Sequence, residues 1–262
     1  MARSLARSST QYLSLSSAVL TAAPITMACW VYPTTIGSAG ALTAMSLSRT
    51  NTNNNIFNLD LGDFLAGDPV RAVAIESSSI VGVASTTTGY STNEWQHIAA
   101  VFASSTSRSA YRNGTAKSTN TSSVSPSGVN ATYIGAWYTG AGGSLDAAAF
   151  FDGRVCEAGI WNAALDDAEI AALADGYSPL LIRPASLVAY WPLGGRYGQS
   201  DRDRWRNGYD LTANNSPTWT DHPRIVYPQP MVLPFKTTGG GGGGVANPVL
   251  FHSYYMSQGM RP

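Results

Sequence analysis

Short runs in which the side-chain character alternates at every second residue dominate the first 160 residues, and this pattern constrains the fold most. Both alternating sets are largely apolar in the run 25–31, which predicts an internal strand covered on both faces. Comparable runs, separated by turn clusters rich in glycine, proline and asparagine, lie at 11–15, 44–47, 55–61, 71–77, 80–85, 94–102, 108–112, 132–138 and 153–161. About ten short, evenly spaced strands predict an all-β fold, an antiparallel β-sandwich of the jelly-roll type.

One helix is expected after these strands. Asp166 fits an N-cap, and Glu169 three residues later completes a capping box. Ile170 and Leu173 give the helix a small apolar face, and Gly176 ends it. We expect this short helix to pack across one end of the sandwich.

The composition excludes several classes of function. Sixteen basic and sixteen acidic residues give a net charge of zero, so no long-range field attracts nucleic acid. No apolar run reaches the length of a signal peptide or a membrane span, which predicts a protein made in a cytoplasm. Two cysteines are too few for a disulfide framework, and we expect free, buried thiols.

The chain divides into three segments by composition. Residues 1–222 carry the strand pattern, 223–247 are a linker with four prolines and six consecutive glycines, and 248–262 are apolar and aromatic. An exposed apolar peptide on a flexible linker is unfavourable in a free monomer, so we predict that it docks on a partner. A frayed terminus without function is the alternative. The predicted docking residues are Val249, Leu250, Phe251, Tyr254, Tyr255 and Met256.

The order of the motifs resembles that of laminin-G-like, concanavalin A-like jelly-roll domains. The runs 11–15 and 25–31 are similar to the opening strands, 95–102 to a central Trp-x-His-x-Ala strand, and 157–169 to the closing strand and helix. The segment 186–193, which usually opens such domains, comes last here. The resemblance covers residues 8–220. The first residues, Met-Ala-Arg-Ser, and the stretch His-Pro-Arg-Ile-Val-Tyr-Pro at 222–228 are similar to those of laminin-G-like proteins of tailed bacteriophages.

The resemblance implies a non-enzymatic structural protein on a phage particle. The jelly roll would be a capsid decoration or tail-associated protein on the virion surface, anchored through its C-terminal tail and forming a homo-oligomer within the assembly. A carbohydrate-binding adhesion module that recognises cell-surface glycans is the alternative, and the two functions are compatible. A subunit of an extracellular filament is the third hypothesis.

Enzymatic chemistry is not expected. Glycoside hydrolysis needs two carboxylates a fixed distance apart, yet the chain has only four glutamates and Glu157 has no acidic neighbour two positions on. Members of the resembled family commonly carry an aspartate where this chain has Cys156. His97 is interpreted as a core imidazole bonded to a neighbouring backbone group rather than as a catalytic base.

Calcium is the one metal that the resemblance implies, bound at the rim of the sandwich. Hard cations prefer loop carboxylates and carbonyl oxygens, and three aspartates lie close together in the sequence. The predicted ligands are Asp60, Asp63 and Asp68. Such residues also cap turns, which is the alternative explanation.

A glycan site would combine an aromatic surface with amide or carboxylate groups. Aromatic residues at loop edges also seal the core, so this interpretation competes with a structural one. The predicted glycan-binding residues are Trp137, Tyr138, Asp146 and Trp205.

Overall fold

The computed structural model describes residues 2–36, 40–50, 55–77, 80–139, 144–194, 201–205 and 207–228. These residues form one α-helix, α1 (Asp167–Ala174), three 3-10 turns and short strands throughout. The strands are β1 (Ala2–Leu5), β2 (Tyr12–Leu15), β3 (Ile25–Pro33), β4 (Leu42–Ser48), β5 (Asn55–Leu61), β6 (Pro69–Glu76), β7 (Ile80–Gly89), β8 (Gln96–Ser104), β9 (Ser107–Arg112), β10 (Thr115–Asn120), β11 (Ala131–Ile134), β12 (Tyr138–Thr139), β13 (Ser144–Leu145), β14 (Gly153–Trp161), β15 (Leu187–Trp191), β16 (Thr212–Asn214) and β17 (Thr218–Thr220).

Two antiparallel sheets pack into a sandwich, which confirms the predicted fold class. Sheet A has the strand order β10-β9-β8-β3-β14-β1-β17, with β15 also paired to β14. Sheet B has the order β16-β2-β11-β4-β5-β6-β7, and β12 and β13 form a separate ribbon. The predicted runs did not include β1, β13, β16 and β17, which are too short to show a period of two. They also did not include β10, whose residues are nearly all polar.

The core lies between the sheets and is built from alternate residues of each strand. In β3 the side chains of Ile25, Met27, Cys29 and Val31 all enter it, as the sequence predicted. Each fully buried aliphatic side chain contributes about 1.5–3 kcal/mol to folding. The core therefore fixes which side chains point to the two outer faces of the sandwich.

The outer face of sheet A is covered by the helix. The capping box at Asp166 and Glu169 is confirmed, with both reciprocal hydrogen bonds present. Ile170 and Leu173 pack with Trp161 and Tyr190 in a second apolar cluster. The predicted position of α1 at one end of the sandwich is therefore wrong: its apolar residues are buried against the face of the sheet.

His97 lies in β8 on this covered side, where burial lowers the pKa of the imidazole to about 3. Its ring meets Trp30 edge-on, with 5.7 Å between the ring centroids. The imidazole is buried, as expected, but on the outer face of sheet A rather than in the core between the sheets, and Nδ1 makes no hydrogen bond within the part of the chain that the structure describes. Cys29 and Cys156 are free and buried, as predicted, and burial raises the pKa of both thiols.

The compact unit that contains both sheets ends at Val226. The last described strands complete both sheets, since β17 pairs with β1 and β16 pairs with β2. The predicted docking peptide, 248–262, and the run of six glycines lie outside the described residues. Among the residues that are described, no helix is long and apolar enough to cross a membrane.

Candidate functional site

Strands β5 and β6 turn polar side chains to the outer face of sheet B. Because successive residues alternate in direction, Asn58 and Asp60 point away from the core that Leu59 enters. The strand register places Asp60 opposite Arg71 and Asn58 opposite Val73. A polar group therefore lies in the middle of an otherwise apolar surface.

A cavity of about 370 Å³ opens on this outer face, and we call it the sheet B cavity. Its base is formed by strands β5, β6 and β7, and its sides by neighbouring loops. The lining residues are Ile56, Asn58, Asp60, Arg71, Val73, Ile75, Val81 and Val83 from the strands, and Gly40, Ala41, Phe64, Trp137, Asp146, Ala148 and Ala149 from around them.

A buried ion pair forms the polar part of the sheet B cavity. Arg71 donates from Nε to Asp60 Oδ1 at 2.7 Å and from Nη2 to Asp60 Oδ2 at 2.8 Å. Asn58 donates from Nδ2 to Asp60 Oδ2 at 2.8 Å. Burial raises the pKa of Asp60, and the Arg71 guanidinium opposes that rise. The guanidinium also lies 4.7 Å from the centroid of the Phe64 ring, which is about half exposed.

Two buried polar atoms of residues that line the sheet B cavity have no hydrogen-bond partner among the described residues. They are Asn58 Oδ1, an acceptor, and Trp137 Nε1, a donor. The assignment of the Asn58 oxygen follows from its contact, because the carboxylate of Asp60 can only accept from the amide nitrogen. An unsatisfied buried polar atom costs about 1–3 kcal/mol, and a bound ligand that pairs with it recovers that cost.

The structure brings together two of the four predicted glycan-binding residues. Trp137 and Asp146 both line the sheet B cavity, and the Asp146 amide donates to the Trp137 carbonyl oxygen at 3.1 Å. Tyr138 instead packs with Tyr133 in a separate small cluster. Trp205 packs against the cluster on the outer face of sheet A. Tyr138 and Trp205 are therefore not among the residues that line the cavity.

The three predicted calcium ligands are not gathered into one group among the described residues. Asp60 is paired with Arg71, and Asp63 accepts a hydrogen bond from the Tyr90 hydroxyl at 2.7 Å. Asp68 occupies a turn with a positive φ of 45°. Within the described ranges no three His, Cys, Asp or Glu side chains form a group that could hold a metal ion, so the predicted carboxylate cluster is not formed.

Sequence reasoning missed Asn58, Arg71 and Phe64. A pattern was available for Asn58, because it shares its face of an otherwise apolar strand with Asp60. No pattern identified Arg71, since its position opposite Asp60 depends on the register between two strands.

A second polar cluster lies on the side of sheet A. Tyr190 donates its hydroxyl to Glu157 Oε2 at 2.7 Å, and His222 Nε2 lies 3.1 Å from Glu157 Oε1. Glu157 is buried and has a positive φ of 52°, at a point where the register of β14 and β3 shifts. Both carboxylate oxygens contact groups from later in the chain, so this residue ties that part of the chain to sheet A.

A groove of about 550 Å³ lies between the start of α1 and residues of β8, β9 and β10. Tyr111 and Lys117 both donate to Asp167 Oδ1 at 2.7 Å, and Ser109 pairs with the Thr119 hydroxyl at 2.8 Å. These polar groups already have partners within the chain, in contrast to those of the sheet B cavity.

Comparison with known proteins finds the same fold. The family described as the concanavalin A-like lectin/glucanases superfamily, Laminin_G_3, matches residues 7–171. A heptameric SAP-like pentraxin from Limulus polyphemus is similar in structure, with a TM-score of 0.56 and 16% identity over 79% of this chain and 87% of the pentraxin. A candidate carbohydrate-binding protein from Bacteroides ovatus has a TM-score of 0.50 and 20% identity over 86% of this chain and 61% of that one. No protein of curated function matches the sequence.

Proposed function

The chain belongs to the concanavalin A-like lectin/glucanases superfamily, and from this premise we propose that it is a carbohydrate-binding module without catalytic activity. The sheet B cavity is its binding site. The observation that carries this proposal is the pair of unpartnered buried polar atoms on Asn58 and Trp137, two residues that line a cavity together with the half-exposed ring of Phe64. Ligand sites combine such apolar and aromatic walls with a few polar groups that fix orientation.

The chemistry of sugars fits this arrangement. A pyranose ring presents apolar C–H groups on its faces and hydroxyl groups at its edge, so it needs both aromatic and hydrogen-bonding contacts. Trp137 and Phe64 supply aromatic surface, and Asn58 and Arg71 lie beside them on the strands. The Bacteroides ovatus protein of similar fold is described as carbohydrate-binding, and this supports the proposal by analogy of fold alone.

The carboxylates of the sheet B cavity favour binding over catalysis. Glycosidases need one carboxyl group as an acid and a second as a base or nucleophile, about 5–10 Å away. Asp60 accepts from Arg71 with both of its oxygens, and Asp146 Oδ1 accepts from the Ala148 amide at 2.9 Å. Both groups are held by protein donors, which supports a role in recognition.

A glycan microarray probed with the full chain tests the proposed function. Val83→Arg would place a long side chain into the cavity, and we expect it to reduce binding at least tenfold. Thr87→Arg is the matched control, because it adds the same charge at an exposed position of the same strand that does not line the cavity. Binding to no glycan, or equal loss in both variants, would refute the site.

We further propose that the module is displayed on the surface of a bacteriophage particle, after synthesis in the host cytoplasm. The apolar and aromatic segment 248–262 would anchor it to other virion proteins, within a homo-oligomeric assembly. The low content of charged residues and the aromatic end of the sequence support this proposal. Immunogold labelling of intact particles with antibody against residues 1–222 tests it, and gold absent from every particle would refute it.

A further inference from the structure

The two unpartnered atoms of the sheet B cavity have opposite hydrogen-bonding character. Asn58 Oδ1 can only accept a hydrogen bond, and Trp137 Nε1 can only donate one. Val73 and Val83 pair across β6 and β7 and belong to the same small apolar cluster as Trp137. The residues that line the cavity therefore carry one unpaired acceptor and one unpaired donor, both just below the surface, beside an aliphatic wall.

The charge of the sheet B cavity restricts its ligand further. Arg71 is the one basic residue among its described lining residues, and it is compensated by the two-point contact with Asp60. Asp146 adds a further negative charge at the side of the cavity. An anionic sugar would therefore meet no uncompensated positive charge in the described lining, which disfavours uronic, sialic and sulfated sugars.

We propose, resting on the proposed function, that the cavity selects neutral glycans that carry an acetamido group. Small side-chain rotations would bring both atoms to the cavity surface, where the acetamido N–H would donate to Asn58 Oδ1 and its carbonyl oxygen would accept from Trp137 Nε1. Its methyl group would contact the partly exposed Val83. These are the one donor, one acceptor and one apolar group that the cavity lacks. A hydroxyl group can pair with the polar atoms but leaves the partly exposed Val83 in contact with water.

Matched pairs of sugars that differ only in the 2-substituent test this inference. The full chain is titrated calorimetrically with N,N′-diacetylchitobiose, cellobiose and unacetylated chitobiose, and with the methyl glycosides of N-acetylgalactosamine and galactose. We expect the acetylated member of at least one pair to bind at least tenfold more tightly than its unacetylated counterpart. Sialyllactose serves as the anionic comparison, and we expect weaker binding to it.

Trp137→Phe isolates the hydrogen bond from the aromatic surface, because phenylalanine keeps a ring but has no N–H. We expect this variant to reduce the preference for the acetylated sugar to less than threefold while retaining weak binding to both members of the pair. Trp205→Phe is the control, since Trp205 packs on the outer face of sheet A. It should leave the preference unchanged.

The outcomes separate the inference from the proposed function. Equal binding of acetylated and unacetylated sugars, lost in Val83→Arg, would overturn the acetamido inference and leave carbohydrate binding at the cavity intact. Tighter binding of sialyllactose would also overturn the inference. Failure to bind any glycan of the microarray would overturn the proposed function and the inference with it. The wild-type comparison decides these cases even if Trp137→Phe does not fold.

Discussion

The two outer faces of the sandwich have opposite characters. On sheet A, Trp161 is fully buried and donates its indole N–H to the Ile182 carbonyl oxygen at 2.8 Å. On sheet B, Trp137 is only partly buried and its indole N–H has no partner among the described residues. The chain covers one face with its own helix, although His97 Nδ1 beneath that cover is unpartnered too, and leaves on the other face a cavity lined by two residues with unsatisfied polar atoms.

This difference indicates that the outer face of sheet A serves stability, whereas the outer face of sheet B is available to a ligand. The apolar residues of α1 replace water on sheet A, so that face contributes to folding. The polar atoms on sheet B that lack partners reduce stability until a ligand pairs with them. Sites of this kind are expected to be less stable than the scaffold that holds them.

The cover of sheet A comes largely from the later part of the chain. The family match ends at residue 171, whereas β15 and the Pro179–Leu181 turn follow it and pack on the same cluster as Trp161. The lining residues of the sheet B cavity that the structure describes all lie between 40 and 149, within the matched part. The proposed binding site thus belongs to the portion shared with the superfamily.

The largest expected effect is on the covered face. Trp161→Ala should lower the free energy of unfolding by about 4 kcal/mol, because it removes a fully buried ring and leaves a cavity. Trp137→Ala should cost less than about 2 kcal/mol, because the ring is partly exposed and its N–H is unpaired. Urea unfolding of both variants checks this difference. Equal losses would show that the two faces contribute alike to stability.

The two faces also differ in their ion pairs. Arg71→Met should lower the free energy of unfolding by about 3 kcal/mol, since it leaves the buried carboxylate of Asp60 without a counter-charge. Lys117→Met, in the exposed pair with Asp167, should change it by less than about 0.5 kcal/mol. The double variant Asp60→Asn with Arg71→Met should recover most of the loss. A double variant as unstable as Arg71→Met alone would contradict this account.

Acidification should weaken the covered face through His97. Its pKa of about 3 in the folded protein lies below the ordinary value of 6.5, so between these values the unfolded chain binds a proton that the folded chain does not. This contribution to stability is complete above about pH 6.5 and is lost at about 1.4 kcal/mol per pH unit as the pH falls towards 3. From pH 6.5 to 5 the loss amounts to about 2 kcal/mol.

His97→Gln removes the titrating group and provides the comparison. Thermal or urea unfolding from pH 7 to 5 should show a shallower loss of stability in this variant than in the wild-type chain. Parallel pH profiles for the two proteins would mean that His97 is solvated or protonated in the folded state.

The smallest expected effect concerns the helix cap. Asp166→Ala removes the side-chain acceptor for the Glu169 amide and should lower the free energy of unfolding by about 1 kcal/mol. Affinity for glycans should stay within twofold of the wild-type value, because α1 lies on sheet A and the proposed site lies on sheet B. A large loss of affinity would place the binding site in the groove beside α1.

The sequence predicted features that depend on local chemistry. The cap at Asp166 follows from residue type and spacing, and both of its reciprocal hydrogen bonds with Glu169 are present. Features that depend on strand register could not be predicted this way. The pairing of Asp60 with Arg71 requires knowing how β5 and β6 align.

The candidate site was predicted only in part for the same reason. Trp137 and Asp146 flank the short ribbon of β12 and β13 and lie close together in the sequence, so their proximity could be inferred from it. Trp205 has the same residue type as Trp137 but packs on the opposite face of the sandwich. The face on which Trp205 packs depends on the path of the chain after β15, and local sequence patterns do not encode that path.

Nuclear magnetic resonance of the ¹⁵N-labelled full chain tests the central claim most directly. The indole N–H signals of the seven tryptophans are followed while the glycan that binds best on the microarray is added. We predict a large shift for Trp137, as its N–H gains a partner, and no comparable shift for Trp161 or Trp191, whose N–H groups already donate to carbonyl oxygens. The backbone amide signals of Tyr111 and Lys117 report on the groove beside α1. If these signals move while the indole signal of Trp137 stays in place, the account is contradicted.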